Sequence, residues 1–388
     1  MGLKNMNEKT HLFDRRRNRR NFLKNTVALA GTAGLGAALF ATNRSAFAQS
    51  QGGGPNSEPT AGDIAILRFL AAGEILEADF WTQYDELAGI PDNEVPGGSK
   101  NHIYREKLRT IDRNFPQYIH DNTDDEISHA NFLNAYLVSK GAEPVDLEQF
   151  RTLVGSDATG SSGRLRLTNL MQLTLDTSWW TRYRSSTNNP DVNPTAFEQA
   201  VPDLHKGQFT AIPRTDEDLF PHKHIQAIAN TAAFHMPTVE QGGGSLRMAL
   251  AQRATSVEVL RILISMGPIE SMHFQTWSEK AGQVPPLTDP TNGLTFPDLN
   301  SGVDPNTGAS GAEVRQMFQT SLIMPEPCPF ISTSLPACSV IRPTNTTGAA
   351  MGALKFLTAM GLFIGQSEAF FTFLTDLAET ADAAQRGI

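Results

Sequence analysis

The chain has 388 residues and a net charge of −9, from 32 Lys and Arg against 41 Asp and Glu. The charge is unevenly spread: residues 1–48 carry a net +7 (nine Lys or Arg against two Asp or Glu), leaving −16 on the rest. A body this acidic makes a poor partner for nucleic acid, whose phosphates require clustered basic side chains, and it favours cations instead. About 340 residues beyond that segment are enough to bury a substantial core.

Arg15–Arg20 form a basic start, and Arg19-Arg20-Asn21-Phe22-Leu23-Lys24 resembles the twin-arginine export motif. A soft apolar run, Thr26 to Ala41, is too short to span a bilayer comfortably, and Ala46-Phe47-Ala48 supplies a small-x-small cleavage signal. Residues 1–48 are therefore read as a twin-arginine signal peptide, with the export machinery as partner and the periplasm or extracellular space as destination. An uncleaved anchor is the alternative. Residues 49–60 are a Gly/Pro/Ser-rich linker.

Helical spacing of Leu67, Leu70, Ala71, Ala78 and Trp81 predicts a first long helix over Ala61–Gly89. A second is expected from Pro116, a favourable first-turn residue, to Lys140, with Gly141 as its stop. An insertion of about 142–221 follows, holding the amphipathic stretch Leu165–Tyr183 with Trp179-Trp180, read as packing residues. A third helix is expected over His222–Met236, ended by Pro237, with His222-Lys223-His224 on its exposed start. A fourth is expected after Gly242-Gly243-Gly244, capped by Ser245, running to Lys280. Residues 282–346 form a Pro/Gly-rich extension. Within it, Cys328 and Cys338 are the disulfide candidate; two unpaired thiols are the alternative. A last helix is expected within 347–388. Lys355, Gln366, Glu368 and Asp376 interrupt its apolar face, so it is read as packed on the bundle, not as a stable membrane span.

Two segments carry chemistry. Glu126-Ile127-Ser128-His129 and Glu270-Ser271-Met272-His273 each place a carboxylate and an imidazole at i and i+3, on one helix face. Two such helices, with one Glu from each of two others, are the ligand pattern of di-metal carboxylate bundles. An ordinary alternative exists for each segment, a solvated Glu beside a core His. Their shared placement among apolar neighbours favours the metal. Glu74 on the first helix is the preferred single carboxylate and Glu77 its reserve; Trp81 lies seven residues past one and Tyr84 seven past the other. No dinucleotide fingerprint, phosphate-binding loop or Gly-x-Ser-x-Gly elbow occurs, which leaves nucleotide and serine-hydrolase functions without support.

These residues resemble the ferritin-like family that includes desiccation-related and stress-related proteins. Glu74-Ile-Leu-Glu77-Ala-Asp-Phe-Trp is similar to the family's first helix. Asp125-Glu126-Ile-Ser-His129-Ala-Asn-Phe-Leu, on to Gly141-Ala-Glu-Pro-Val, is similar to the second, and Ile269-Glu270-Ser-Met-His273 to the fourth. The resemblance implies an all-α, ferritin-like four-helix bundle over 61–281, binding two iron or manganese ions and acting on oxygen species or on metal under stress. It departs from the family at the third helix, where Ala233-Phe234-His235 stands in place of an apolar-Phe-Glu step. His235 is the ligand expected there, with Glu240 in reserve. A second departure is Gly267-Pro268 just before Glu270, which bends the fourth helix. The expected ligands are thus Glu74, Glu126, His129, His235, Glu270 and His273. The rival is a non-catalytic bundle with a degenerate site, serving a protective or partner-binding role. Homo-oligomers are compatible with either, although the insertions disfavour a storage cage.

Overall fold

The structure is a computed structural model and describes residues 58–90, 100–182, 197–304, 307–311, 334 and 347–387. The proposed signal segment, most of the linker, and Cys328 and Cys338 lie outside the described residues. Within Glu58–Ile388 the described chain is mainly helical, with a single two-stranded hairpin (β1, Leu287–Thr288; β2, Thr295–Phe296).

Helix α1, Ala61–Ala88, opens on a capping box: the Asp63 amide donates to Thr60 Oγ1 (3.2 Å) and the Thr60 amide to Asp63 Oδ2 (2.9 Å). The same Asp63 carboxylate accepts the amides of Thr255 and Ser256, tying the start of α1 to a distant turn. Helix α2, His102–Ile111, lies outside the elements expected from the sequence and packs on α1 and on the helices Phe115–Ser139 and His222–Ala251. Helix α3, Phe115–Ser139, starts with Pro116 in its first turn and is followed by Gly141 at φ +73°, where the left-handed backbone suits glycine.

The third helix differs from expectation. Helix α5, His222–Ala251, runs unbroken through both Pro237 and Gly242-Gly243-Gly244. Every residue from His224 to Glu240 is buried, so this helix passes through the interior instead of lying on its edge. Proline costs about 3 kcal/mol in a helix interior and each glycine about 1. Burial of Ile225, Phe234, Met236 and Val239, at about 1.5–3 kcal/mol each, outweighs those local costs. The glycines serve close approach: a Cβ on Gly244 would already touch Ser271 Oγ and Glu270 Cβ on the facing helix, at 3.5 and 3.7 Å. Ser245 consequently caps nothing. The cap of the next helix is Ser256, whose hydroxyl accepts the amides of Glu258 and Val259, and α6 spans Val257–Ala281 with Pro268 inside it.

Two long pairs result, α1 against α3 and α5 against α6, with five residues joining the second pair. The insertion is largely irregular, with isolated bridges pairing Leu153 with Arg166 and Leu173 with Phe209, and a helical turn, α4 (Trp179–Arg182), contains the tryptophan pair. Trp179 and Trp180 are buried, and Trp179 packs on Phe234 and Phe274. The expected last helix is two, α7 (Ala349–Ala359) and α8 (Glu368–Ala383). Between them Gly361 and Gly365 take positive φ, and the carbonyls of Met360 and Leu362 accept hydrogen bonds from Thr174 and Asn169 of the insertion. Those carbonyls are thereby used outside a helix. Among the described residues no helix is long and apolar enough to cross a membrane.

Candidate metal centre

Each long helix delivers one carboxylate to the same interior point. On α3, Glu126 and His129 are one turn apart; on α6, Glu270 and His273 repeat the spacing; α1 contributes Glu74 and α5 contributes Glu240. The donor atoms fall into two groups, Glu74–Glu126–His129–Glu270 and Glu126–Glu240–Glu270–His273, each with its ligand atoms within 4.8 Å of one another. Glu126 and Glu270 belong to both. Glu126 shows how a shared carboxylate works: Oε2 lies 3.2 Å from His129 Nδ1, and Oε1 lies 3.1 Å from His273 Nδ1. His129 Nδ1 is also 3.4 Å from Glu74 Oε2 and 3.5 Å from Glu270 Oε1, while His273 Nδ1 is 3.3 Å from Glu240 Oε2.

The four carboxylates are no more than 1% exposed. Glu74 Oε2, Glu240 Oε2, both oxygens of Glu270 and Nδ1 of His273 have no hydrogen-bond partner. Orphaned buried oxygens are costly, and so many around one point match the donor set of a hard or borderline cation. Oxygen and imidazole donors grouped in this way could hold a metal ion.

A polar frame holds these side chains. Trp277 Nε1 donates to Asn122 Oδ1 (2.8 Å), which aims the Asn122 amide at Glu126 Oε1 (3.0 Å) and Glu240 Oε1 (3.1 Å). Trp81, stacked on Trp277, donates its indole N–H to Glu240 Oε1 (3.1 Å). Outside, half-exposed Asp125 holds His273 Nε2 at 3.1 Å, so that Nδ1 faces inward. A cleft of about 170 Å³, lined in part by Tyr118, Asp121, Asp125 and Met272, leads from the surface to His273.

Charge within the centre is strongly coupled. Burial pushes Glu270 well above the carboxylate range; Arg247 pulls it back and Glu126 adds to the rise. Burial likewise raises half-buried Glu77, with Glu126 reinforcing it. Burial also opposes ionisation of Glu74, but the Arg247 guanidinium and His129 overcome it and hold Glu74 down at about 2. His129, despite burial, is raised to about 9 by Glu126 and Glu74, and His273 is raised further still. Without a metal, Arg247 and the two imidazoles are the groups that face the carboxylates as counter-charges.

His235, expected as a ligand, is in neither group. It is fully buried, its Nδ1 lies 2.8 Å from Tyr84 Oη, and burial alone pushes its pKa down to about 3. Glu240, the reserve, takes the α5 position because the helix continues past Pro237 and carries it one turn and a half further. Glu77 also stays outside both groups. Arg247, Asn122 and Asp125 were not singled out by sequence. Arg247 follows Glu240 by seven residues, two turns along one face, a relation hidden by the expected break at the glycines. His224, expected on the surface, is buried between Asp289 (2.7 Å) and Asp218 (3.3 Å). Compared with models of known families, with curated proteins and with solved structures, the chain finds no match.

Proposed function

We propose that the chain is a ferritin-type bundle in which α1, α3, α5 and α6 hold a pair of divalent metal ions, iron or manganese. The observation carrying this reading is the convergence of four buried carboxylates and two imidazoles, one Glu per helix and two Glu-x-x-His turns, with unpaired oxygens facing one another. Glu74, His129, Glu240 and His273 would each hold one ion, and Glu126 and Glu270 both. A bound pair of such ions supplies one-electron redox chemistry toward oxygen species. The protein's part is to keep the donors in place through Asn122, Trp81 and Asp125, and to admit small molecules along the His273 cleft.

A second reading, a metal-free bundle with a protective or partner-binding role, is favoured by Arg247, which neutralises part of the cluster on its own. Elemental analysis of the purified protein separates the two. Two transition-metal ions per chain, lost in Glu126→Ala with the fold retained, support the metal reading; a folded protein that takes up none refutes it. We also propose export by the twin-arginine route, which accepts cargo already folded around its metal. Arg19→Lys with Arg20→Lys should retain the protein in the cytoplasm, and unchanged export would remove this element.

A further inference from the structure

We propose that Arg247 acts as a resident cation on the Glu74 side of the centre, so that its two metal positions fill in a fixed order. The Glu126–Glu240–Glu270–His273 group takes the first ion, and the second binds only by displacing the guanidinium. This inference rests on the dinuclear reading above.

The two groups would be near mirror images if only the ligands were considered: one terminal Glu, one His and two shared carboxylates each. Arg247 breaks the symmetry. It projects from α5, is 3% exposed, and its ion pairs are with Glu74 Oε1 and with Glu270 Oε1 (3.2 Å). Glu74 belongs only to the first group. Glu240 and His273, which belong only to the second, make no ion pair with Arg247. A guanidinium carries its charge at every physiological pH, so the positive charge can be moved but not removed. A divalent ion beside it meets direct repulsion in a low-dielectric interior, whereas Glu240 and His273 of the far group make no ion pair with the guanidinium, and Glu240 Oε2 accepts no hydrogen bond.

The structure also provides a place for the displaced charge. A Cβ built on Gly243 would lie 2.9 Å from Arg247 Nη1, 3.6 Å from Glu77 Oε1 and 3.1 Å from Glu270 Oε2. A side chain at 243 would crowd Arg247 and Glu270, so glycine here lets the guanidinium lie against the helix and close to Glu77, a carboxylate that neither metal group uses. Glu77 is therefore the partner that receives Arg247 when the second ion binds. This gives a role to Glu77, to the glycine at 243 and to the buried arginine together.

The test is titration of the metal-free protein with Mn(II). Free ion is followed by its electron paramagnetic resonance signal and heat by calorimetry; circular dichroism checks folding of each variant. Wild type should bind one equivalent tightly and a second at least roughly tenfold more weakly. Arg247→Met should strengthen the second step by roughly ten- to a hundredfold and Arg247→Lys far less, since only the first removes the charge. Glu77→Gln should weaken the second step further while sparing the first. Should Arg247→Met fail to fold, the ligand variants decide: Glu240→Gln should lose the tight step and Glu74→Gln only the weak one. Two equal sites in wild type, an unchanged second step in folded Arg247→Met, or loss of the tight step in Glu74→Gln would each overturn the inference while leaving the dinuclear reading intact. No Mn(II) uptake by the folded wild-type protein would instead overturn that reading, and the inference with it.

Discussion

Glu270 offers the sharpest separation between a side chain kept for structure and one kept for a ligand. Both its oxygens are buried, Oε1 facing Arg247 at 3.2 Å and Oε2 without a hydrogen-bond partner, and burial raises its pKa against the pull of Arg247, with Glu126 adding to the rise. A carboxyl whose folded pKa lies above its unfolded value loses stability as pH rises above the unfolded value of about 4.5. At pH 7 the metal-free protein bears that cost, and Glu270→Gln, nearly identical in shape and neutral at all pH, removes it. Leaving a buried charged group unsatisfied costs about 1–3 kcal/mol or more. Arg247 keeps Glu74 as its counter-charge in this variant, so metal-free Glu270→Gln is expected to be at least as stable as wild type, with a Tm equal or a few degrees higher. The metal-loaded state reverses the order. At a free ion concentration a hundred times Kd, each bound ion stabilises the native state by about 2.7 kcal/mol. Glu270 serves both groups, so the variant should lose most of a stabilisation of about 5 kcal/mol that two such ions give wild type. Differential scanning calorimetry at pH 7, with chelator and then with excess Mn(II), reads both effects. A metal-free variant melting well below metal-free wild type would show that Glu270 holds the fold together, and the argument from its orphaned oxygens would fail.

The remaining predictions concern the other members of the centre. Glu240→Gln should remove metal from one position, whereas His235→Gln should keep full stoichiometry by elemental analysis; loss of metal in the histidine variant would restore it as a ligand. Asp125→Asn frees the outer nitrogen of His273 and should weaken Mn(II) binding by roughly 10–100-fold with little change in the metal-free Tm, read by calorimetry. Metal affinity should rise with pH, because each ion must displace a proton from an imidazole. For His129 the slope is up to about one log unit per pH unit, flattening above about 9, and Mn(II) titrations from pH 6.5 to 9.5 should show proton release. The same raised pKa means that protonated His129 stabilises the metal-free protein fully below pH 6.5. That contribution is lost as pH climbs through about 9, whereas the metal-loaded protein should lack this component of the decline; parallel melts distinguish the two.

Local pattern was a good guide wherever one periodic face met one core. The apolar spacing and end signals of α1 and α3 place both helices within a residue of where they lie, and the two Glu-x-x-His turns come together as their spacing implies. The pattern misled where tertiary packing overrode punctuation. Pro237 and the three glycines are local helix breakers, yet α5 is buried throughout 224–240, and at Gly243 an added Cβ would meet Arg247 and Glu270 at 2.9 and 3.1 Å. His235, expected at the third-helix position, lies outside both donor groups, and Glu240, the reserve, lies in one of them. At the C terminus the reverse happened: an apolar run with helical spacing is cut by Gly361 and Gly365, because the insertion draws on its backbone carbonyls. Hydrogen bonds between segments nearly two hundred residues apart leave no mark in a sequence window.

The cleft that ends on His273 limits the kind of visitor the centre can receive. Its volume, about 170 Å³, is close to that of an engineered cavity that admits a single benzene molecule. A sugar, nucleotide or lipid chain could not bring its bulk against the ligands, so any molecule reacting there meets them with a few atoms at most. Asp121 and Asp125 at the rim add a bias of sign, repelling anions and leaving passage to neutral molecules and to cations.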